Sequence, residues 1–316
     1  DRSPSRGLGD VYKRQVENNR LVFTSETMME NETLPRRLTI IGGGYIGLEF
    51  ASMYARFGSK VTILQNGSVF LPKEDRDMAE AVENVLKSYG VSVITGAGLK
   101  EIKEGTAVYT KNGEEDTLDG DAILLATGRG PNTEGLHAER AGVKLTKRGA
   151  VVTDKHLRTT AENIWAAGDV CGNLQFTYIS LDDSRIILSD MQGDGSRTTE
   201  NRGAFAYSVF MEPSFSRAGL SEKEAADKGL NYRVVRMNTD MIPKAKVLRK
   251  TAGMLKAVID KDSGKILGTA LFCPESYEII NMVKLAMDHD LDYTVLRDFI
   301  YTHPTMSEGL NDLFAL

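Results

Sequence analysis

The sequence predicts an α/β protein that winds through βαβ units in its first half and ends in an α+β unit. Three observations carry that prediction. "RRLTIIGGGYIGLEFASMYARFGSKVTIL" reads as an apolar strand, a glycine turn, a helix and a second strand. "DAILLATG" reads as a further buried strand ending in glycine. After residue 196 the signals change to hairpins, a capped helix and terminal helices.

The elements follow in order. "EDRDMAEAVENVLKSYG" places Met78, Ala81, Val82, Val85, Leu86 and Tyr89 on one helical face, with Gly90 as the stop, and "VSVIT" supplies the next strand. In "AVYTKNGEEDTL" the pair Asn112-Gly113 sits between two alternating segments, a hairpin signal. "GAVVTD" and "NIWAAGD" are expected as short strands and "ISLDDSRIILSDMQ" as a helix; the polar "GDGSRTTENRG" then marks a boundary near residue 196. Beyond it, "AFAYSVF" is strand-like, Ser221 with Glu224 forms a capping box, and Asp262-Ser263-Gly264 turns a second hairpin.

Composition narrows the function classes. With 316 residues, the chain is long enough for about two or three domains of ~100–200 residues. Its 41% hydrophobic and 26% charged residues fit a globular protein, and no apolar run is long enough to span a bilayer, so no membrane partner is expected. A net charge of −5 argues against a general nucleic-acid binder. Cys171 and Cys273, the only cysteines, lie too far apart in sequence to suggest a disulfide framework or a metal cluster, and fit a reducing cytoplasm; both are expected to be structural thiols.

Gly42, Gly44 and Gly47 form G-x-G-x-x-G directly after a strand and at the opening of a helix. The first glycine permits the tight turn, the second lets backbone approach a pyrophosphate, and the third lets helix and strand pack closely, with the helix N-terminus facing the anion. This is a Rossmann-like dinucleotide site, with Ile46 inside the turn. A carboxylate about 20 residues on would bind the ribose of NAD. Gln65 stands there instead, so a 2′-phosphate is neither repelled nor held, and the choice between NAD and NADP stays open.

Three further stretches, "ATGRGPN" at 126–132, "TTAENIWAAGDV" at 159–170 and "YTHPTMSEGL" at 301–310, together resemble the pyridine nucleotide-disulfide oxidoreductases, the family of glutathione reductase, dihydrolipoamide dehydrogenase and mercuric reductase. The resemblance covers residues 16 to 316 in the family's order. It implies a nicotinamide-binding domain over residues 36–127 inserted in a partial FAD-binding domain. The flavin segments would be 16–35 and 128–195, followed by an α+β dimerisation domain over 196–316. By resemblance, Gly128, Gly168 and Asp169 contact FAD, Asp169 at the ribityl chain; Tyr45 is a lid over the flavin and Glu49 lies near the nicotinamide. Trp165, the only tryptophan, is expected in the core. His303 and Glu308 match the family's acid-base dyad, the carboxylate orienting the imidazole, which works beside redox cysteines across a homodimer interface. Tyr301 stands where dihydrolipoamide dehydrogenases carry a second histidine.

A finer resemblance, in "SVFLPKEDRDMAE", "GNLQFTYISLDDSRI", "MIPKAKV" and "HPTMSEGLNDLF", is to a bacterial branch of reactive-chlorine-resistance flavoproteins associated with copper(II) reduction. Its helix after Asp169 opens on Phe176, Thr177 and Tyr178. The implied activity is hydride transfer from NAD(P)H to flavin, then electron transfer to a disulfide or a metal ion such as copper(II) or mercury(II). The alternatives are a dihydrolipoamide dehydrogenase and a nucleotide-binding interaction protein with a degenerate site. The family's first G-x-G-x-x-G and its C-x-x-x-x-C are not in this sequence. The opening "DRSPSRGLGDVYKRQ" back-translates to a close likeness of a sequencing-library adapter, so residues 1–15 are expected to be non-native and the enzyme N-terminally truncated and inactive in this form.

Overall fold

A computed structural model describes residues 19–316, which divide into two compact units, 127–203 and a larger one made of 19–126 with 204–316. The adapter-like residues 1–15 lie outside the described residues. Among the described residues, no helix is long and apolar enough to cross a membrane.

The larger unit starts with β1 (Val22–Phe23) and α1 (Ser25–Met29), which Thr24 and Thr27 close with a reciprocal capping box. Met28 of this segment is fully buried, and its carbonyl accepts the Tyr54 hydroxyl at 3.2 Å. The βαβ unit read from sequence follows as β2 (Arg37–Ile41), α2 (Tyr45–Arg56) and β3 (Lys60–Gln65). Then come α3 (Arg76–Ser88), β4 (Ser92–Thr95), a meander of β5 (Ala97–Lys103), β6 (Thr106–Lys111) and β7 (Glu114–Asp119), and β8 (Ala122–Leu125). The parallel sheet has the order β1-β8-β2-β3-β4, and its middle strands are apolar without alternation because helices and loops cover both faces. On α3 the expected face is buried at Met78, Val82, Val85 and Leu86, while Ala81 and Tyr89 are half-exposed; Gly90 leaves the helix at φ +82°. The meander turns at Asn112 and Gly113, whose φ values of 54° and 84° are those of the two-residue turn that matches strand twist.

The smaller unit departs from expectation. "GAVVTD" and "NIWAAGD" form only single bridges, Leu145 with Val151 and Arg158 with Trp165. Each extended piece meets its partner across a tight turn, such as the left-handed one at Gly149, and satisfies the rest of its backbone in loops. The helix read from sequence is α4 (Thr177–Gln192). The polar stretch after it is tied back: Arg197 and Arg202 both pair with Asp182, and Arg202 also pairs with Asp183. Trp165 is half-buried, and its indole N–H donates to Asp190 at 2.8 Å, beside the bidentate Arg158.

From residue 204 the larger unit continues with β9 (Ala206–Val209), β10 (Phe215–Gly219), α5 (Glu222–Asp227), β11 (Tyr232–Asn238), α6 (Pro243–Leu248), β12 (Met254–Asp260) and β13 (Ile266–Phe272). The antiparallel order is β11-β12-β13-β10-β9. Helices α7 (Ser276–Asp288), α8 (Thr294–Arg297) and α9 (Gly309–Ala315) complete it, and Ile279, Ile280, Val283, Leu310, Leu313 and Phe314 fill its core. The predicted capping box of Ser221 and Glu224 is present. Lys256, almost wholly buried, fastens this sheet to the start of α3: its ammonium lies 2.9 Å from Asp75, 2.9 Å from Asp77 and 2.7 Å from Glu222. Burial pushes the Asp75 carboxyl up, but Lys256 and the amides of Glu222 and Lys223 outweigh it and hold Asp75 below its ordinary value.

Candidate functional site

The glycine turn is built as its spacing requires. A β-carbon on Gly47 would sit 2.1 Å from the Gly42 carbonyl oxygen, so helix and strand approach as only glycine allows. At Gly44 a β-carbon would meet nothing within 4 Å: the backbone there faces open space. Gly42 takes φ +110° to make the turn. The Gly42 amide is spent on Leu64 and the Gly43 amide on the Gln65 side chain, at 2.8 Å each. The amides of α2's first turn, at Tyr45, Ile46 and Gly47, have no intrahelical partner. No side chain caps this end and no acid lies in the first turn, so the helix presents uncapped N–H groups and positive dipole to open space, the environment a pyrophosphate needs.

Gln65 therefore has a role that sequence reading did not assign: its carbonyl oxygen braces the glycine turn from the end of β3. Glutamate would keep that acceptor and add charge beside the nucleotide. Gln65→Glu is expected to preserve the fold and shift nucleotide preference toward NADH over NADPH by about 5- to 10-fold, the effect of ~1–1.4 kcal/mol. Comparing NADH and NADPH dissociation constants checks it; an unchanged ratio removes Gln65 from the ribose site.

Around this turn the structure gathers residues far apart in sequence. The Tyr45 hydroxyl donates to Glu74 Oε1 at 2.9 Å, and Tyr207, on β9, donates to the same oxygen at 2.5 Å. The two rings stack, centroids 5.1 Å apart. Glu74 is buried, and its second oxygen lies 3.4 Å from Arg217, which also pairs with Glu224. Burial and the neighbouring carboxylate raise both phenols well above the ordinary tyrosine value, so they stay protonated donors. Glu49, one turn along α2, accepts the Phe210 amide at 2.9 Å.

In the smaller unit, Gly168 is left-handed at φ +77°, and its amide is held by Asp183 at 2.7 Å. Asp169 next to it is half-buried and, among the described residues, its carboxylate accepts no hydrogen bond. That is an acceptor waiting for hydroxyl donors, which fits the polyol chain of a flavin. Gly128 is exposed in a left-handed turn at φ +123° with open space around its α-carbon. Cys171 and Cys273 are buried, and burial pushes their thiols up to about 11 and about 12, so both are neutral at physiological pH and neither is a reactive thiolate.

The third group is at the C-terminal end. His303 Nδ1 lies 2.7 Å from Glu308 Oε2, and Glu308's other oxygen accepts the Thr305 amide at 3.1 Å. The Thr305 amide holds the carboxylate, and the carboxylate holds the ring. A proton on Nδ1 facing Glu308 leaves Nε2 as the basic nitrogen on a side chain that is 68% exposed. Glu308 sits immediately before α9, whose Gly309 packs against Ile242 too closely for a larger residue to enter unchanged. Tyr301 turns away from this pair, its hydroxyl donating to the Leu296 carbonyl at 3.2 Å.

A parallel sheet with an uncapped helix behind an open glycine defines a dinucleotide-binding α/β protein. The family model described as pyridine nucleotide-disulphide oxidoreductase matches residues 8–184, and that of the same family's dimerisation domain matches residues 205–314. The chain is 49% identical over 295 residues to the probable pyridine nucleotide-disulfide oxidoreductase RclA of Escherichia coli, covering 93% of this chain and 67% of that one. It is 33% identical over 293 residues to the mercuric reductase of Staphylococcus aureus, covering 91% of this chain and 53% of the relative. Its structure matches that of the Cu(II) complex of HOCl-induced flavoprotein disulfide reductase RclA from Escherichia coli with a TM-score of 0.91 at 48% identity, over 95% of this chain and 68% of that one. The chain belongs to the pyridine nucleotide-disulphide oxidoreductase family, whose members are flavoproteins that use FAD and NAD(P)H. It spans about half to two thirds of the length of these relatives.

Proposed function

We propose that this chain is the nicotinamide-binding, second flavin-binding and dimerisation portion of an NAD(P)H-dependent flavoprotein oxidoreductase that reduces a disulfide or a metal ion such as copper(II) or mercury(II). The observation that carries the reading is the glycine turn, closed at Gly47 and open at Gly44, with the uncapped amides of α2 behind it. Residues 36–127 bind the nucleotide, 16–35 and 128–195 belong to the flavin-binding domain, and 196–316 dimerise. The enzyme works in the cytoplasm.

Asp169 and the backbone at Gly168 and Gly128 would hold FAD; bound there, FAD supplies a two-electron relay between nicotinamide and acceptor. The chain's own residues bind, orient and move protons. Gly44 would admit the pyrophosphate of the nucleotide, and by resemblance Tyr45 would serve as the lid residue and Glu49 as a contact near the nicotinamide. Glu308 fixes the His303 ring so that Nε2 takes and returns a proton in the partner subunit's thiol reaction.

The test joins this chain to the N-terminal part of a relative and assays the purified enzyme with NADPH or NADH against copper(II), mercury(II), lipoamide and small disulfides. Turnover with a metal ion or a disulfide is the expected result. Turnover with lipoamide above all others makes it a dihydrolipoamide dehydrogenase. An FAD-loaded enzyme inert toward every acceptor is a binding protein, and the proposed activity fails.

A further inference from the structure

Glu74, Tyr207 and Arg217 have no part in the chemistry described so far, yet they grip Tyr45, the one side chain there that must move. Three segments of chain converge on a single buried carboxylate. Glu74 Oε1 accepts hydrogen bonds from Tyr45, at the first position of α2, and from Tyr207, on β9; Arg217, on β10, braces the other oxygen. Arg217 is itself fixed by the Lys73 carbonyl at 2.8 Å and by Glu224, so the carboxylate cannot swing with its guests. Tyr45 is thus held at two points, its hydroxyl by Glu74 and its ring face by Tyr207.

We infer that Glu74 is a positioning residue for Tyr45: with Tyr207 as platform and Arg217 as brace, it latches the Tyr45 ring in place and sets how much nucleotide binding costs. The inference rests on Tyr45 being the lid proposed above. A side chain that must leave its place before a nicotinamide can enter reduces apparent affinity by the fraction of molecules in which it has left. The hydrogen bond to a carboxylate is the stronger kind, so it dominates that fraction. The latch is independent of flavin, because every group in it belongs to the larger unit.

The 316-residue chain itself serves for the test, titrated with NADPH and NADH by nucleotide fluorescence. Tyr45→Phe keeps the ring and its stack, deletes the hydroxyl, and is expected to tighten binding by about 10- to 150-fold, the worth of one hydrogen bond to a charged acceptor. Glu74→Gln leaves Arg217 paired with Glu224 and replaces a charged acceptor with a neutral one; it should tighten binding by about 2- to 5-fold. The decisive comparison is Glu74→Gln in the Tyr45→Phe background, where it should have no further effect, because the hydroxyl it acts through is gone. A merely structural Glu74 shifts affinity equally in both backgrounds, and that result overturns the latch. If Tyr45→Ala alters affinity while Glu74→Gln does not, the lid stands and the latch falls. If neither Tyr45→Phe nor Tyr45→Ala alters it, the lid reading fails and the latch with it. In the free chain, 13Cζ-labelled tyrosine spectra give a measurement without nucleotide: Glu74→Gln should shift both Tyr45 and Tyr207, and a shift of Tyr207 alone contradicts the shared oxygen.

Discussion

Replacing His303 by alanine in a complete enzyme is expected to slow disulfide turnover by roughly 10²–10⁴-fold, the usual range for losing a positioned acid-base group, while anaerobic reduction of the flavin by NAD(P)H stays nearly intact. In the proposed scheme the two half-reactions separate because only the thiol half moves a proton at His303. Its Nδ1 is committed to Glu308 at 2.7 Å, and the exposed ring leaves Nε2 for exchange with a group outside the chain. Glu308→Gln should cost less. It keeps the imidazole and one carbonyl oxygen, which can serve the Thr305 amide or Nδ1 but not each with its own oxygen, and it loses the negative charge beside the ring. The cross-interface claim has its own test: inactive His303→Ala subunits mixed with inactive subunits lacking a redox cysteine form heterodimers with one intact site. Recovered turnover supports a shared site, whereas fully FAD-loaded heterodimers with none exclude it.

The two glycines of the nucleotide turn should separate folding from binding. Gly47→Ala drives a methyl to 2.1 Å from a backbone oxygen that cannot rotate aside, so helix α2 must shift away from β2. Overpacking of this kind costs about 1–3 kcal/mol or more, and a lower Tm with weakened nucleotide binding is expected. Gly44→Ala adds the same methyl into empty space at φ −79°, where any residue is comfortable. Its Tm should match the parent's, while nucleotide affinity falls by about 5- to 150-fold as the methyl occupies the pyrophosphate's approach, the same 1–3 kcal/mol appearing in binding. Equal effects of both substitutions on Tm would show that the two positions do not play distinct parts.

Most of what the sequence disclosed was local. The Asn112-Gly113 turn, the Ser221 capping box and the glycine spacing each rest on backbone geometry set within a few residues, and each appears in the structure as read. What escaped was long-range. Glu74 reads as one acid in a charged helix start, and nothing in "LPKEDRDM" shows that Tyr207 and Arg217 will arrive on strands more than a hundred residues later to bury it. Gln65 was read for its missing charge and not for its carbonyl, which braces Gly43. The stretches around Val151 and Trp165 were expected as short strands, but each meets its neighbour only once. The polar run ending at Gly203 looked like a break, yet Arg197 and Arg202 tie it to carboxylates on the preceding helix.

The most direct test of the nucleotide-binding reading is an equilibrium titration of the 316-residue chain with NADPH and with NADH, following reduced-nicotinamide fluorescence beside a Tm for each protein. Saturable binding that oxidised nucleotide displaces, and that Gly44→Ala weakens at unchanged Tm, is the expected result. A folded chain that binds neither nucleotide, or one whose affinity ignores Gly44→Ala, would contradict a nicotinamide site at the glycine turn.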